Sequence, residues 1–562
     1  MSPNKLLFLP IYGIFSSVDN NGFVKINQGN LQGQVNSDHF AFYGIPYAKP
    51  PIGDLRWRKP ENPENWTGTR DASTNNKPGC LQDPGHATAP STISEDCLFL
   101  NIFMPKSAKT ANLPVMFWIH GGSWKHGHGA ANLYNGRHLA KKDVILVSIN
   151  YRMGAMGFLY SKDTNSNISG NQAVWDMIKA LEWVNSNIDQ FYGDASKITI
   201  FGESAGGQSV ATLLSLIERN GRNHLFSQAI IQSDPWGIPY KTFDQGDTEA
   251  DVFMQELGCI VHKVGRKEYD WNCAKNKDSE SLLLAQQATR GRFDTDMFSS
   301  AFEAWTPVID NELLDSHPLD AIWAGRSSDK NIMIGHTTGE GAVFVYGIFG
   351  HKVGKIEYET FVNVLFSHDS DAVLKRYPSP CKTIDIGCDA RDQLSQIAGS
   401  YLFDCPARHV IMPRSNQNFG SGETFHFIFD HPIKTGIFPE DSMFEPCERK
   451  SCHGAEVAFV FGSFEDLGVS VRPAETTLSN RMMDYWTNFA KNGNPNTNPV
   501  TKAMPCWYGY SSIASDFCGV GDTRPPHESM HLHSGEFDDT VDPDAINQHC
   551  VFWDSLDAYL KH

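Results

Sequence analysis

The sequence predicts an α/β fold, a large and mostly parallel central sheet flanked by helices. Three observations lead there. Short, continuous apolar runs recur along the chain, an amphipathic helical pattern stands between two of them, and one run passes through a glycine-bounded turn straight into a helix. Unbroken apolar runs mark strands buried on both faces, as parallel strands are when helices cover the sheet.

Six runs read as such strands: Val115-Met116-Phe117-Trp118-Ile119, the stretch from Val144 to Ile149, Ile198-Thr199-Ile200-Phe201, Gln228-Ala229-Ile230-Ile231, Asn331-Ile332-Met333-Ile334, and the stretch from Thr424 to Phe429. Val174, Met177, Ile178, Leu181 and Val184 recur at helical spacing and predict an amphipathic helix from about Asn171 to Ile188. Alternation of strands and helices implies helices on both sheet faces, the arrangement of an α/β-hydrolase fold.

The third observation carries the chemistry. Gly202-Glu203-Ser204-Ala205-Gly206 follows the Ile198 strand, and Val210, Leu213, Leu214 and Ile217 continue as a helix. This is the G-x-S-x-G elbow, in which a sharp strand-to-helix turn lifts the serine hydroxyl clear of the backbone. A serine is a weak nucleophile at neutral pH, so it needs an imidazole to take its proton and a carboxylate to orient that imidazole. In this architecture the chain order is serine, acid, histidine. Downstream, Glu340 stands between glycines at the end of the Asn331 strand, and His453 opens Cys452-His453-Gly454-Ala455-Glu456 ahead of an apolar segment. Spacing alone leaves Glu340 equally readable as a turn residue and His453 as a helix-start residue beside a disulfide. The developing oxyanion needs preorganised N–H donors. The Val115 strand runs into His120-Gly121-Gly122-Ser123-Trp124, which assigns the donors to the backbones of Gly122, Ser123 and Ala205.

With these motifs in place, the chain resembles the type-B carboxylesterase and cholinesterase family over nearly its whole length. The likeness also rests on Phe42-Tyr43-Gly44-Ile45-Pro46-Tyr47-Ala48, Ser94-Glu95-Asp96-Cys97-Leu98-Phe99-Leu100-Asn101, Asn150-Tyr151-Arg152, Pro307-Val308-Ile309-Asp310 and Gly493-Asn494-Pro495-Asn496. It implies Ser204, Glu340 and His453 as a catalytic triad, and a supporting role for Ser233 near the acid. It further implies disulfides Cys80 to Cys97, Cys259 to Cys273 and Cys405 to Cys550. The other six cysteines allow fifteen pairings; proximity in sequence suggests Cys381 with Cys388, Cys447 with Cys452 and Cys506 with Cys518, of which the middle pair would stiffen the loop before His453. The activity implied is that of a secreted serine carboxylesterase working through an acyl-enzyme. The alternatives are a non-catalytic adhesion or binding protein of the same fold, and a lipase acting on acylglycerols.

Length alone would suggest several domains, but Ser204, Glu340 and His453 are spread over almost half of the 562 residues and must meet, so residues 18–562 are expected to fold as one unit. Residues 1–17, with Lys5 ahead of Leu6-Leu7-Phe8-Leu9, read as a secretory signal interrupted by Pro10 and Gly13. The sequons at Asn65 and Asn167 and an even count of 12 cysteines agree with an oxidising compartment. A formal charge of −18 argues against nucleic acid as a partner. No apolar stretch is long enough to span a bilayer, and no lipid-anchor tail follows Cys550. Neither metal nor cofactor is expected: the grouping of Cys447, Cys452 and His453 would take the histidine needed as base. The expected partner is a small-molecule ester.

Three departures bear on which ester. Cholinesterases hold a quaternary ammonium with a tryptophan in the first disulfide loop, and no Phe, Tyr or Trp lies between Cys80 and Cys97 here. By register from Pro307, Ala301 and Glu303 fall where acetylcholine-selective members carry phenylalanines, so the acyl pocket admits larger or more polar groups unless Trp305 and Trp124 refill it. Asp234 stands where glycine is common; a second acid there would either bias the site against anionic substrates or, the favoured reading, cap the helix or turn that follows. Glu203 is expected either to orient water or a cationic leaving group, or to complement the positive end of the helix it opens.

Overall fold

The structure is a computed structural model that describes residues 17–556, apart from 84–87, 111, 167, 169, 217–220, 264–265, 291–302, 384, 386, 415–419, 434–441, 497–505, 508, 510–528 and 534–544. The signal-like segment, the Asn167 sequon, Ala301 and Cys518 lie outside the described residues.

In chain order the strands are β1 (Phe23–Ile26), β2 (Gly29–Val35), β3 (His39–Pro46), β4 (Thr69–Ala72), β5 (Phe99–Pro105), β6 (Leu113–Ile119), β7 (Ile145–Ile149), β8 (Gly193–Glu203), β9 (Gln228–Gln232), β10 (Ile260–Lys263), β11 (Arg266–Tyr269), β12 (Asn331–Thr337), β13 (Thr424–Phe429) and β14 (Met530–Leu532). One sheet runs β1-β2-β3-β5-β7-β6-β8-β9-β12-β13-β14, with β4 beside β2, and β10-β11 form a separate hairpin. From β7 to β14 every pairing is parallel, while β1, β2, β3, β5 and β7 pair antiparallel. All six predicted strands lie in this sheet.

The apolar runs alternate between two cores. Val115, Phe117, Ile119, Ile198, Ile200, Ala229 and Ile231 face one, while Met116, Trp118, Phe201, Ile230 and Met333 face the other. A strand buried on both faces has no polar side, which is why its sequence does not alternate. The predicted amphipathic helix spans Gln172–Asn187 and covers the first core together with the helix Ala205–Leu216. The second core is covered by the helices Val457–Phe461 and Pro473–Asn492, which present Phe459, Phe461, Met482, Trp486 and Phe489.

Several family motifs hold this frame by satisfying buried polar groups. Asn171, at φ +50 before its helix, bonds Val308 N and O (both 2.8 Å) and Asp310 Oδ2 (2.9 Å). Arg152 and Asp176 form a buried ion pair at 2.7 Å, and Arg56 makes two bonds to Glu95 at 2.6 and 2.7 Å. Such pairs offset the desolvation of their charges only when every polar end is matched.

Five disulfides are present among the described residues: Cys80–Cys97, Cys259–Cys273, Cys381–Cys388, Cys405–Cys550 and Cys447–Cys452. The pairing of Cys506 with Cys518 falls on a residue outside that set. Cys405–Cys550 closes a loop of 145 positions, so it restricts the unfolded chain most. Replacing both cysteines by serine is expected to lower stability by up to about 5 kcal/mol in the chain-entropy limit. A fall in the denaturant midpoint under non-reducing conditions checks this.

Candidate active site

Parallel pairing aligns the carboxyl ends of β6, β8 and β12 along one sheet edge, and the predicted site residues follow those ends. Ser204 links β8 to the helix Ala205–Leu216 at φ +58. That left-handed conformation is costly for a residue with a Cβ and persists only where the surroundings enforce it. Here the Ser204 N–H donates to Gln232 O (3.0 Å), and the Ser204 carbonyl accepts from Gln208 N (2.9 Å). Gly206 is demanded by close approach, since a Cβ there would lie 2.1 Å from Ile119 O.

Ile119 ends β6, and the following loop turns back onto the elbow. Gly122 adopts φ +109, and a Cβ on it would meet His126 O at 2.2 Å. Ser123 carries φ +52, and Trp124 carries φ +50. A Cβ on Gly121 would reach Ser204 Cβ at 3.0 Å, so loop and elbow touch. Trp124 Nε1 donates to Ser209 Oγ (3.0 Å), pinning the loop on the helix behind Ser204. Among the described residues, no hydrogen bond engages the N–H groups of Gly122, Ser123 or Ala205. Three uncommitted donors therefore stand in the loop and the turn that meet at Gly121 and Ser204.

Glu340 heads the helix Gly341–Ile348 and is buried. Its Oε1 accepts from Thr337 N (2.6 Å), and its Oε2 lies 2.5 Å from His453 Nδ1. The two loops carrying these residues are paired: Gly339 bridges Cys452, and Gly339 N donates to Ser451 O (2.8 Å). The Cys447–Cys452 disulfide ends one residue before His453. Phe344 and Phe403 pack against the imidazole with ring centroids at 4.9 and 5.1 Å. On its other side, His453 Nε2 lies 3.2 Å from Glu203 Oε1 and makes no hydrogen bond to Ser204 Oγ. The structure thus joins Glu340 to His453 directly, and brings His453 to the residue preceding Ser204.

The electrostatics follow from burying acids around one imidazole. Burial pulls the His453 pKa down, but the charges of Glu203 and Glu340 outweigh it and push it up to about 9. Burial, and then Glu340, raise the Glu203 carboxyl against the opposing effect of His453. Glu456 is raised by burial, then by Glu203 and Glu340.

Four features were not read from the sequence. Glu456 is buried and accepts from Gln232 Nε2 (3.1 Å), whose Oε1 accepts from Trp486 Nε1 (2.9 Å). Its signal was faint, one acid three residues after the histidine. Ser233, expected in a supporting role near the acid, has its hydroxyl buried and without a hydrogen bond among the described residues, while Thr337 N–H donates to Glu340. Asp234, expected as a turn cap, bonds through neither oxygen. Gln82 ties the Cys80–Cys97 loop to the glycine loop by exchanging bonds with Gly127 O and N, both 2.9 Å.

The profile of the carboxylesterase family matches residues 20–530. The chain belongs to the carboxylesterase family. Membership makes it a carboxylic ester hydrolase. The "Crystal protein" of Dictyostelium discoideum is 34% identical over 85% of this chain and 85% of its own. "Pyrethroid hydrolase Ces2a" of Mus musculus is 32% identical, covering 83% and 81%, and an acetylcholinesterase of Bungarus fasciatus is 30% identical, covering 91% and 82%. The solved structure of PNB esterase superposes with a TM-score of 0.74 at 28% identity, covering 94% of this chain and 99% of that one.

Because ionised Glu203 favours the imidazolium, Glu203→Gln is expected to lower the His453 pKa from about 9. Imidazole titration by histidine-selective NMR checks the direction; an unmoved titration would show that Glu203 stays protonated beside His453.

Proposed function

We propose that this protein hydrolyses soluble carboxylic esters through a covalent acyl-enzyme on Ser204. The observation that carries the reading is the Glu340–His453 hydrogen bond, 2.5 Å long, lying against the residue that adjoins Ser204. Glu340 holds the Nδ1–H, leaving Nε2 as the basic nitrogen. As substrate enters, Nε2 leaves its own proton with Glu203, exchanges that neighbour for Ser204 Oγ, and takes the hydroxyl proton while Oγ attacks the carbonyl carbon. The amides of Gly122, Ser123 and Ala205 receive the oxyanion. His453 then gives its proton to the departing alcohol. Water, deprotonated in turn by His453, attacks the acyl-enzyme, releases the acid and restores Ser204.

The first disulfide loop supports a soluble substrate over acylglycerol at an oil–water interface, since Gln82 ties that loop to Gly127. Its lack of Phe, Tyr or Trp removes the expected anchor for choline esters. Five disulfides and an exposed sequon asparagine, Asn65, support folding in the secretory pathway and export. No helix among the described residues is long and apolar enough to cross a membrane.

Ser204→Ala is expected to reduce hydrolysis of p-nitrophenyl acetate by a factor on the order of 10⁶ while circular dichroism stays unchanged. A fluorophosphonate probe should label the native protein at Ser204. An unlabelled native protein, inert toward aryl esters, would instead mark a binding module built on the same fold.

A further inference from the structure

Two carboxylates close to Ser204 have no role in the sequence of steps above. Asp234 and Glu303 are each 3% exposed. Both oxygens of Asp234 and Oε2 of Glu303 have no hydrogen-bond partner among the described residues. An acid taken out of water without partners is costly, and folded chains rarely leave one so. The cost is tolerated where a ligand supplies the missing donors.

Position ties the pair to the reacting centre. A Cβ on Gly207 would lie 3.4 Å from Asp234 Cβ, and Gln208 lies beside Glu303. Gly207 and Gln208 belong to the first turn of the helix that Ser204 opens. The Gln208 side chain is the hydrogen-bonding neighbour of Glu303, and Thr306 Oγ1, close to it in sequence, is buried without a partner among the described residues. Trp305, which adjoins Thr306, is fully buried, and Tyr240 packs against Trp124 with ring centroids 5.9 Å apart. The leaving alcohol must take its proton from His453 Nε2, whose neighbours are Glu203, Phe344 and Phe403. Asp234 and Glu303 lie with Gly207 and Gln208 instead, on the acyl side.

We propose that Asp234 and Glu303 form a subsite that receives a primary ammonium carried on the acyl part of the ester substrate. The inference rests on the ester-hydrolase reading of the same site. Three empty carboxylate oxygens match the three N–H donors of one ammonium group. Such charge-assisted bonds are the strong ones, above all where water is excluded. The titratable groups acting on the pair are Lys125 and His453 toward Glu303, and Tyr151 and Tyr240 beside the acids. Burial pushes the Glu303 carboxyl up to about 7 despite Gln208, Lys125 and His453, and burial and then Glu303 raise Asp234 well above its ordinary range.

The test compares p-nitrophenyl 6-aminohexanoate with its uncharged isostere, the heptanoate, and with the carboxylate-ended monoadipate, at neutral pH. The native protein is expected to favour the ammonium ester in kcat/KM by at least about tenfold, the low end for a hydrogen bond to a charged group, and to disfavour the monoadipate. Asp234→Asn and Glu303→Gln should each collapse the ammonium-to-alkyl ratio toward one. A second arm moves the ammonium to the alcohol, pairing the butanoate of 5-aminopentanol with that of hexanol. A preference confined to that arm overturns the acyl assignment. Heptanoate hydrolysis and fluorophosphonate labelling of Ser204 without any ammonium preference overturn the subsite alone. Loss of hydrolysis and of labelling in the native protein overturns the ester-hydrolase reading and the subsite with it. Should a variant fail to fold, the ratio measured on the native protein decides.

Discussion

Parallel pairing of β6 with β8 is the constraint on which the site rests. Two parallel neighbours end at the same sheet edge, so the loop after one and the turn after the other must share space. Ile119 O faces Gly206, where a Cβ would stand 2.1 Å away, and Gly121 faces Ser204 with as little room. Glycine at 206 is the consequence of that contact. The contact in turn holds Ser204 at positive φ and leaves the amides of Gly122, Ser123 and Ala205 uncommitted. The strain at the elbow is offset by the sheet behind it, where apolar side chains of both faces are buried in two cores.

A second level of organisation is electrostatic. Glu203, Glu340 and Glu456 surround His453, and Asp234 and Glu303 lie by the first turn of the nucleophile's helix, beside Gly207 and Gln208. So many acids in a water-poor volume cannot all be ionised at once. The imidazolium is the one cation at the first group, and it is stabilised accordingly. In the second group both Asp234 oxygens and Glu303 Oε2 have no hydrogen-bond partner among the described residues. The same burial thus has two outcomes, a tuned base at one end and an unfilled acidic recess at the other.

Covalent and polar ties carry rigidity to the histidine. Its loop is short, non-repetitive and far from the sheet's edge pairing, so it would be free without local restraint. The Cys447–Cys452 bridge and the Gly339 pairing with Ser451 and Cys452 supply that restraint on one side, and Phe344 and Phe403 on the other. Holding a base within hydrogen-bond reach of its acid is a matter of tenths of an ångström, which packing achieves and a loose loop does not.

The strands, the helix at Gln172–Asn187 and the elbow were determined by sequence alone, because their signals are local: apolar periodicity, glycine spacing and a strand leading into a helix. The pairing of Cys80 with Cys97 and of Cys405 with Cys550 was legible only through family likeness. Tertiary structure decided the rest. That Asp234 caps nothing, that the Ser233 hydroxyl supports nothing, that Glu456 reaches Gln232, and that His453 Nε2 faces Glu203 all depend on where distant backbones leave room. Hydrophobic pattern is written residue by residue along the chain. The partner of a buried polar atom is set by segments hundreds of residues apart, and only the folded geometry brings them face to face.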